Sequence, residues 1–231
     1  MVTISIKWIK LLIGGASSLI LVGLMLWYLA VLLINFNKIG KYRLFILLPL
    51  FGLTQIITTN FLPAIVNEQN SDTFYDTILS IYILTEYSVF TYILYALSTK
   101  NISTGILSFT AFLVILFYCI SIINYHNFLI ENHTIFTIIS TLLVITQSLI
   151  LIIKYVFDDN IINLNNSHEF FLALALFAFY TYIFPNNLFD NFIRINPTDY
   201  TYISISTNNI GYLFFYLLLI KSVKCKIRQI K

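Results

Sequence analysis

Residues 11–34 read LLIGGASSLILVGLMLWYLAVLLI, an apolar run interrupted only by small side chains. A helix rises about 1.5 Å per residue, so this run spans the ~30 Å hydrocarbon core of a bilayer with some tilt. Because water is absent from that core, the backbone has to satisfy its hydrogen bonds within the segment, as a helix does. The run is too long for the apolar part of a signal peptide, and no clear cleavage pattern follows it, which predicts a retained helix.

Long apolar runs recur along the whole chain. Of its 231 residues, 59% are hydrophobic and 10% are charged, whereas a soluble domain carries about a quarter charged residues. The predicted fold is therefore all-α, a polytopic transmembrane bundle of seven helices that forms one domain over residues 1–231. Pro49 is expected to kink the second span and Pro185 to close the sixth. The predicted spans are about 11–34, 44–61, 74–97, 106–123, 135–153, 170–184 and 200–220.

The Lys and Arg residues of the short connections predict which side faces the cytoplasm. With the N-terminus outside and the C-terminus cytoplasmic, ten basic residues lie on the cytoplasmic side, and three, Lys7, Lys10 and Arg194, lie outside. A six-helix alternative without the sixth span places seven basic residues inside and six outside, which is almost no bias. The charge distribution therefore favours seven helices.

Glu86 is the most informative polar residue because it lies in the middle of the third predicted span. An ionised carboxylate at that depth costs roughly 2.5 kcal/mol or more. The side chain therefore either stays protonated or faces a partner or a wet cavity. Tyr75 and Tyr82 share its helical face and are expected to donate hydrogen bonds to it. Two interpretations stay open, a structural hydrogen-bonding group between helices and a proton-coupling or ligand-binding group.

Asn209 lies in the middle of the seventh predicted span, with Tyr202 on the same helical face. Amide side chains in membrane bundles commonly cross-link helices for about 0.6–2 kcal/mol, and Gln55 and Gln147 are interpreted in the same way. Because Glu86, Asn209 and Gln55 lie at comparable depth, our hypothesis is that they converge on one polar centre. The candidate ligand-binding or proton-coupling residues are Glu86, Asn209, Gln55, Tyr82 and Tyr202.

The remaining charged residues are explained by the membrane. His126, Glu131 and His133, in the predicted outer connection 124–134, are metal-ligand types, but their spacing matches no known metal pattern, so a solvated loop is favoured. The basic tail Lys221–Lys231 is either a flank that fixes the topology or a contact with anionic lipid. We expect no metal, no cofactor and no nucleic-acid partner.

No catalytic residue is predicted. The sequence contains no His-Glu-x-x-His pair, no Gly-x-Ser-x-Gly elbow and no phosphate-binding loop. The seventh span has no lysine before Lys221, which excludes a retinal Schiff base in mid-helix. We therefore expect a protein that is not an enzyme.

Three short motifs carry a resemblance. The run Tyr82–Tyr95, the triplet Glu169-Phe-Phe with Tyr180, and Asn209 with Tyr212 are similar to a family of uncharacterised seven-helix membrane proteins from AT-rich Gram-negative bacteria. The chain departs from that family at Gln55, where an acidic residue is frequent, and it has no tryptophan in its sixth and seventh spans. The resemblance implies a seven-helix protein of the bacterial cytoplasmic (inner) membrane, but the family has no assigned activity.

Three functions remain open at this point. The first is a non-enzymatic sensor or partner-binding membrane module with a polar centre around Glu86. The second is a small-solute or proton-coupled transporter. The third is an oligomeric membrane pore or effector, for instance of a phage-defence or CRISPR-associated locus. The lipid bilayer is the expected partner in all three, with a homo-oligomer or a protein partner as further expectations.

Overall fold

A computed structural model describes residues 2–37, 43, 45–50, 52–53, 86–94, 112, 114, 116, 119, 126–157, 164–189 and 197–230. All regular secondary structure within these residues is helical, which confirms the all-α prediction. The long helices are α1 (Val2–Ile34), α2 (His126–Phe157), α3 (His168–Leu188) and α4 (Pro197–Ile230). A 3₁₀ turn, Leu164–Asn166, precedes α3, and residues 47–50 and 86–94 form shorter helical segments.

Two helices in the described part of the chain are long and apolar enough to cross a bilayer. They are Thr137–Phe157, within α2, and the whole of α3. They coincide with the predicted spans 135–153 and 170–184. A third apolar stretch, Ser18–Ile34 in α1, is shorter.

The helices extend beyond the predicted spans. Helix α1 begins at residue 2 instead of 11, and α2 begins at His126, so residues 126–134 are helical and do not form the expected loop. Helix α4 runs from Pro197 through most of the basic tail to Ile230. Apolar length marks only the part of a helix that lies in hydrocarbon. A helix of 32–34 residues is about 50 Å long, which exceeds the ~30 Å thickness of a hydrocarbon core.

Pro185 does not close α3, contrary to the prediction, because the helix continues to Leu188. Proline removes its own N–H donor, but its carbonyl still accepts a hydrogen bond from the N–H of Phe189, at 3.1 Å. The turn after Pro185 is also held by its neighbours. Asn186 Nδ2 donates to Asn208 Oδ1 and Asn187 Nδ2 donates to Thr141 Oγ1, both at 3.0 Å.

Two helix starts follow ordinary capping chemistry. Ser167 caps α3, where its Oγ accepts a hydrogen bond from the N–H of Phe170 at 3.3 Å, and Glu169 in the first turn suits the helix dipole. Pro49 lies in the first turn of the α-helical stretch 47–50, which follows 3₁₀ residues 45 and 46. A proline is tolerated there because the first turn has no intrahelical partner for its N–H.

The directions of the helices follow from their contacts. Ser18 pairs with Asn209, and Tyr28 packs on Tyr216, so α1 and α4 run parallel. Asn186 pairs with Asn208 at one end of α3, and the His168 carbonyl accepts from Ser222 Oγ at the other, so α3 and α4 are antiparallel.

Helices α2 and α3 also pack against each other. Near the end of α3, Asn187 donates a hydrogen bond to Thr141 of α2. With that contact, a parallel arrangement would place His168 about 50 Å back along α2 from Phe157, a distance that residues 158–167 would have to span. Ten extended residues span at most about 36 Å. Helix α2 is therefore antiparallel to α3 and parallel to α1 and α4.

Candidate functional site

The centre of the described structure is a network of aromatic rings, which we call the aromatic core. Its rings come from α1, the segment 86–94, α3 and α4, and consecutive centroids lie 4.6–5.8 Å apart, mostly edge-on or tilted. Such geometries are favoured by the ring quadrupoles and contribute beyond the area that they bury. The members are Tyr28, Phe90, Phe179, Tyr180, Tyr212, Phe215 and Tyr216.

Glu86 lies at the edge of this aromatic core. It is half-buried and stands one helical turn before Phe90, whose ring packs edge-on against Tyr180 and Phe215. Glu86 interacts electrostatically with the phenol groups of Tyr180 in α3 and Tyr216 in α4. The predicted partner Tyr82 and the neighbouring Tyr75 lie outside the described residues. Within the described part of the chain, Glu86 therefore interacts with tyrosines of two other helices, α3 and α4.

Tyr216 connects Glu86 to the second helical region. Its hydroxyl donates a 3.2 Å hydrogen bond to the carbonyl of Leu48, and its ring packs on Tyr28 with centroids 5.7 Å apart. Gly52 makes this approach possible. A Cβ at residue 52 would lie 2.5 Å from Met25 Cε and 2.9 Å from the Tyr216 hydroxyl, so a larger residue would force these side chains apart.

The same region contains buried hydroxyls without hydrogen-bond partners. Tyr28 and Tyr87 are almost fully buried, and neither hydroxyl reaches a hydrogen-bond partner within the part of the chain that the structure describes. Thr91 lies one turn after Tyr87 and interacts with it, but the two hydroxyls do not reach hydrogen-bonding distance and geometry. A buried hydroxyl without a partner costs free energy, and it retains a donor and an acceptor for a proton, a water molecule or a ligand.

Asn209 connects α4 to α1. Its Nδ2 donates a 3.2 Å hydrogen bond to Ser18 Oγ, as expected of an amide that cross-links helices. Tyr216 lies two turns along α4 from Asn209, on the side of Glu86. Tyr202 lies in helix α4, and Gln55 lies outside the described residues. The convergence of Glu86, Asn209 and Gln55 stays a prediction.

Tyr28 is a buried residue of this site that is not among the candidates predicted from the sequence. A signal for it exists in the spacing Leu21, Met25, Tyr28 and Leu32, every three or four residues, and all four side chains are buried. That spacing defines one helical face. Reading this inner face in α1 would have identified Tyr28 as a core residue.

Helix α2 contributes a different kind of buried surface. Ser140, Thr141, Gln147 and Ser148 are all buried along it. Ser148 Oγ donates to the Val144 carbonyl at 2.7 Å. Among the described residues, the amide of Gln147 has no hydrogen-bond partner for its nitrogen or its oxygen. The prediction that Gln147 cross-links helices therefore fails for the contacts that the structure records.

Metal chemistry has little support within the described residues, where no three His, Cys, Asp or Glu side chains come together. His126, Glu131 and His133 belong to helix α2. His168 and Glu169 form a 2.8 Å pair, Nδ1 to Oε2, in the first turn of α3. This pair extends the capping of that helix.

No protein-family model, no curated protein and no solved structure matches the chain. The resemblance to the seven-helix family therefore stays a prediction. The case for function rests on the site itself. The Glu86 carboxyl interacts there with the phenols of Tyr180 and Tyr216, and the buried hydroxyls of Tyr28 and Tyr87 lie in the same region. These groups are able to hold or transfer a proton and to bind a polar ligand.

Proposed function

We propose that the chain is a seven-span protein of the bacterial inner membrane, with the N-terminus outside and the C-terminus cytoplasmic. Its working centre is Glu86 with Tyr180 and Tyr216. The protein acts as a non-enzymatic sensor or partner-binding module, in which the state of the Glu86 carboxyl sets how the segment 86–94 packs on α3 and α4.

The observation that carries the membrane assignment is the distribution of side chains. Leu19, Ile34, Phe157 and Phe214 are 75%, 82%, 78% and 60% exposed. Buried positions of the same bundle hold polar groups such as Gln147. A soluble protein rarely exposes large apolar side chains on every helix. Lipid is the surrounding that stabilises such a surface.

The helix directions support seven spans. Because α1 and α4 are parallel, the number of crossings from α1 to α4, with both helices included, is odd. The number from α1 to α2 is odd for the same reason. Between α1 and α2 the chain must therefore cross an odd number of times. Among the residues described between α1 and α2, helical ones occur at 45–50 and 52–53, at 86–94 and at 112, 114, 116 and 119. Three crossings bring the total to seven, in agreement with the ten-to-three distribution of basic residues.

The Glu86 centre supports a switch for an electrostatic reason. An ionised carboxylate in a poorly solvated environment costs free energy unless polar groups stabilise it, and Glu86 interacts electrostatically with Tyr180 and Tyr216 of two other helices. A neutral carboxyl depends on them far less. Protonation, or a ligand that competes for the phenols, therefore changes the packing free energy of the segment 86–94.

Hydrogen exchange tests the switch in the full chain reconstituted in vesicles. Amide protection of residues 86–94 is expected to change between acidic and neutral pH in the parent protein and to become independent of pH in Glu86→Gln. Tyr92→Phe is the matched control, because Tyr92 lies in the same segment but is 53% exposed. Protection that is equally pH-dependent in the parent and in Glu86→Gln would exclude Glu86 as the switch.

A proton-coupled transporter is the second candidate, and the unpartnered hydroxyls of Tyr28 and Tyr87 favour it. Buried hydroxyls near a membrane carboxyl are suited to relay protons. A pH-sensitive dye trapped in the same vesicles separates the two functions. Proton flux that Glu86→Gln abolishes indicates a transporter, whereas pH-dependent protection without flux indicates a sensor.

A further inference from the structure

One face of α4 changes chemistry within a single turn. Ile210, Phe214 and Leu217 are exposed apolar residues at intervals of three or four, and Lys221, Lys224 and Arg228 continue the same face as exposed basic residues. We call these three the basic stripe. The change between residues 217 and 221 marks the depth at which this face leaves an apolar surrounding.

Neighbouring helices change character at the same depth. Helix α1, parallel to α4, ends at Ile34 and is followed by a polar turn at Asn35. Helix α3 begins at His168, whose carbonyl accepts a 2.7 Å hydrogen bond from Ser222 Oγ. The last turn of α2 contains Lys154. Polar or charged residues of four helices thus occur at one level, as expected where hydrocarbon meets headgroups.

Aromatic rings border the basic stripe. Lys221 Nζ lies 5.3 Å from the centroid of the Phe171 ring, and Lys224 Nζ lies 5.4 Å from that of Trp27. Trp27 is 48% exposed, as is typical of the aromatic belts at membrane interfaces. The two rings hold the ammonium groups at the boundary through cation–π attraction.

The charges of the basic stripe are not balanced by acidic residues within the described part of the chain. The carboxylate at this end, Glu169, pairs with His168 and interacts with Lys226, which lies on the other side of α4 and is half-buried. Lys221 and Lys224 meet rings instead. Among the described residues, the three exposed cations of this face therefore meet no acidic partner at the proposed depth of the headgroups.

The geometry points to a binding site for anionic phospholipid headgroups on the cytoplasmic side, formed by the basic stripe with Phe171 and Trp27 at its base. Arg228 lies about 10 Å further along the axis than Lys221, which is far enough to reach the phosphate layer. Basic residues next to a span are each attracted to an anionic leaflet. This inference rests on the proposed membrane insertion and is independent of the role of Glu86.

Fluorescence of Trp27 tests the site directly. The chain has two tryptophans, Trp8 and Trp27, so a Trp8→Phe background leaves one reporter beside Lys224. The full chain is reconstituted in two sets of phosphatidylcholine vesicles. One set contains phosphatidylglycerol with brominated acyl chains, and the other contains brominated phosphatidylcholine at the same mole fraction. Brominated chains quench a tryptophan on contact. Quenching is expected to favour brominated phosphatidylglycerol by about three-fold or more in relative association constant, and to lose this preference at high salt.

Three variants separate a headgroup site from a flank that only fixes topology. Lys221→Gln with Lys224→Gln is expected to reduce the preference to about one-fold, because the attraction per basic residue is lost. Lys221→Arg with Lys224→Arg keeps the charge and should keep the preference. Arg43→Gln with Lys154→Gln removes two charges from the same side and should also keep it.

The outcomes distinguish this site from the membrane proposal. Equal quenching by the two lipids in the parent chain, or an unchanged preference in the double Gln variant, would overturn the headgroup site and leave membrane insertion intact. If neither brominated lipid quenched Trp27, both proposals would fail, because Trp27 would not face the bilayer.

Discussion

The two sides of α3 show how one bundle uses two kinds of helix contact. Toward α4, Phe179 packs on Tyr212 and Phe215 with ring centroids 4.6 and 5.0 Å apart. Toward α2, a hydrogen bond joins Asn187 to Thr141, and the buried residues of α2 include Gln147. In lipid there is no hydrophobic force between helices, so dispersion contacts and hydrogen bonds determine association. The aromatic side should therefore carry more of the stability than the polar side.

Truncation of the aromatic core is expected to have the largest effect. Phe215→Ala removes a ring that packs on Phe90, Phe179 and Tyr216 and leaves a cavity in a fully buried position, which costs about 3–5 kcal/mol. The adjacent Phe214 is 60% exposed, and Phe214→Ala should cost only about 0.5 kcal/mol. Unfolding in detergent micelles measures both, and equal losses would show that the aromatic core is not the main source of stability.

The close approach at Gly52 gives the next largest effect. Gly52→Ala places a methyl group against Met25 and the Tyr216 hydroxyl, and overpacking of this kind costs about 1–3 kcal/mol. Gly23 has no atom within 4 Å of the corresponding position, so Gly23→Ala should be neutral or slightly stabilising because alanine favours helix. The midpoint of thermal unfolding compares the two. A neutral Gly52→Ala would mean that segment 45–53 does not press on α1 and α4.

The sequence predicted the apolar cores of the helices better than their ends. Hydropathy identifies long apolar runs, so the predicted spans 135–153 and 170–184 coincide with parts of α2 and α3. It does not register a helix that continues through polar residues, as α2 does from His126. Nor does it register the bonds of Asn186 and Asn187 to other helices, which support the turn beyond Pro185.

The candidate site was predictable in its chemistry and less so in its partners. A lone carboxyl in an apolar span is recognisable in any sequence, and Glu86 does border the aromatic core. Its described phenol partners, Tyr180 and Tyr216, lie about 95 and 130 residues away in the sequence. Periodicity within one helix identifies residues of that helix alone. Contacts between helices depend on helix order and rotation, which a single sequence does not encode in a short pattern.

On the polar side of α3, toward α2, we expect a substitution that stabilises the chain, by less than the losses above. Gln147 is buried with neither amide atom hydrogen-bonded, so it has lost its hydration without compensation. Gln147→Leu keeps a similar volume and removes the unsatisfied groups, which should stabilise the chain by about 1 kcal/mol. Ser148→Ala is the control. Ser148 is already bonded to the carbonyl of Val144 in its own helix, and its replacement should be close to neutral. Destabilisation by Gln147→Leu in the same unfolding assay would mean that the amide is hydrogen-bonded in the membrane. The polar side would then contribute to the stability of the bundle much as the aromatic side does.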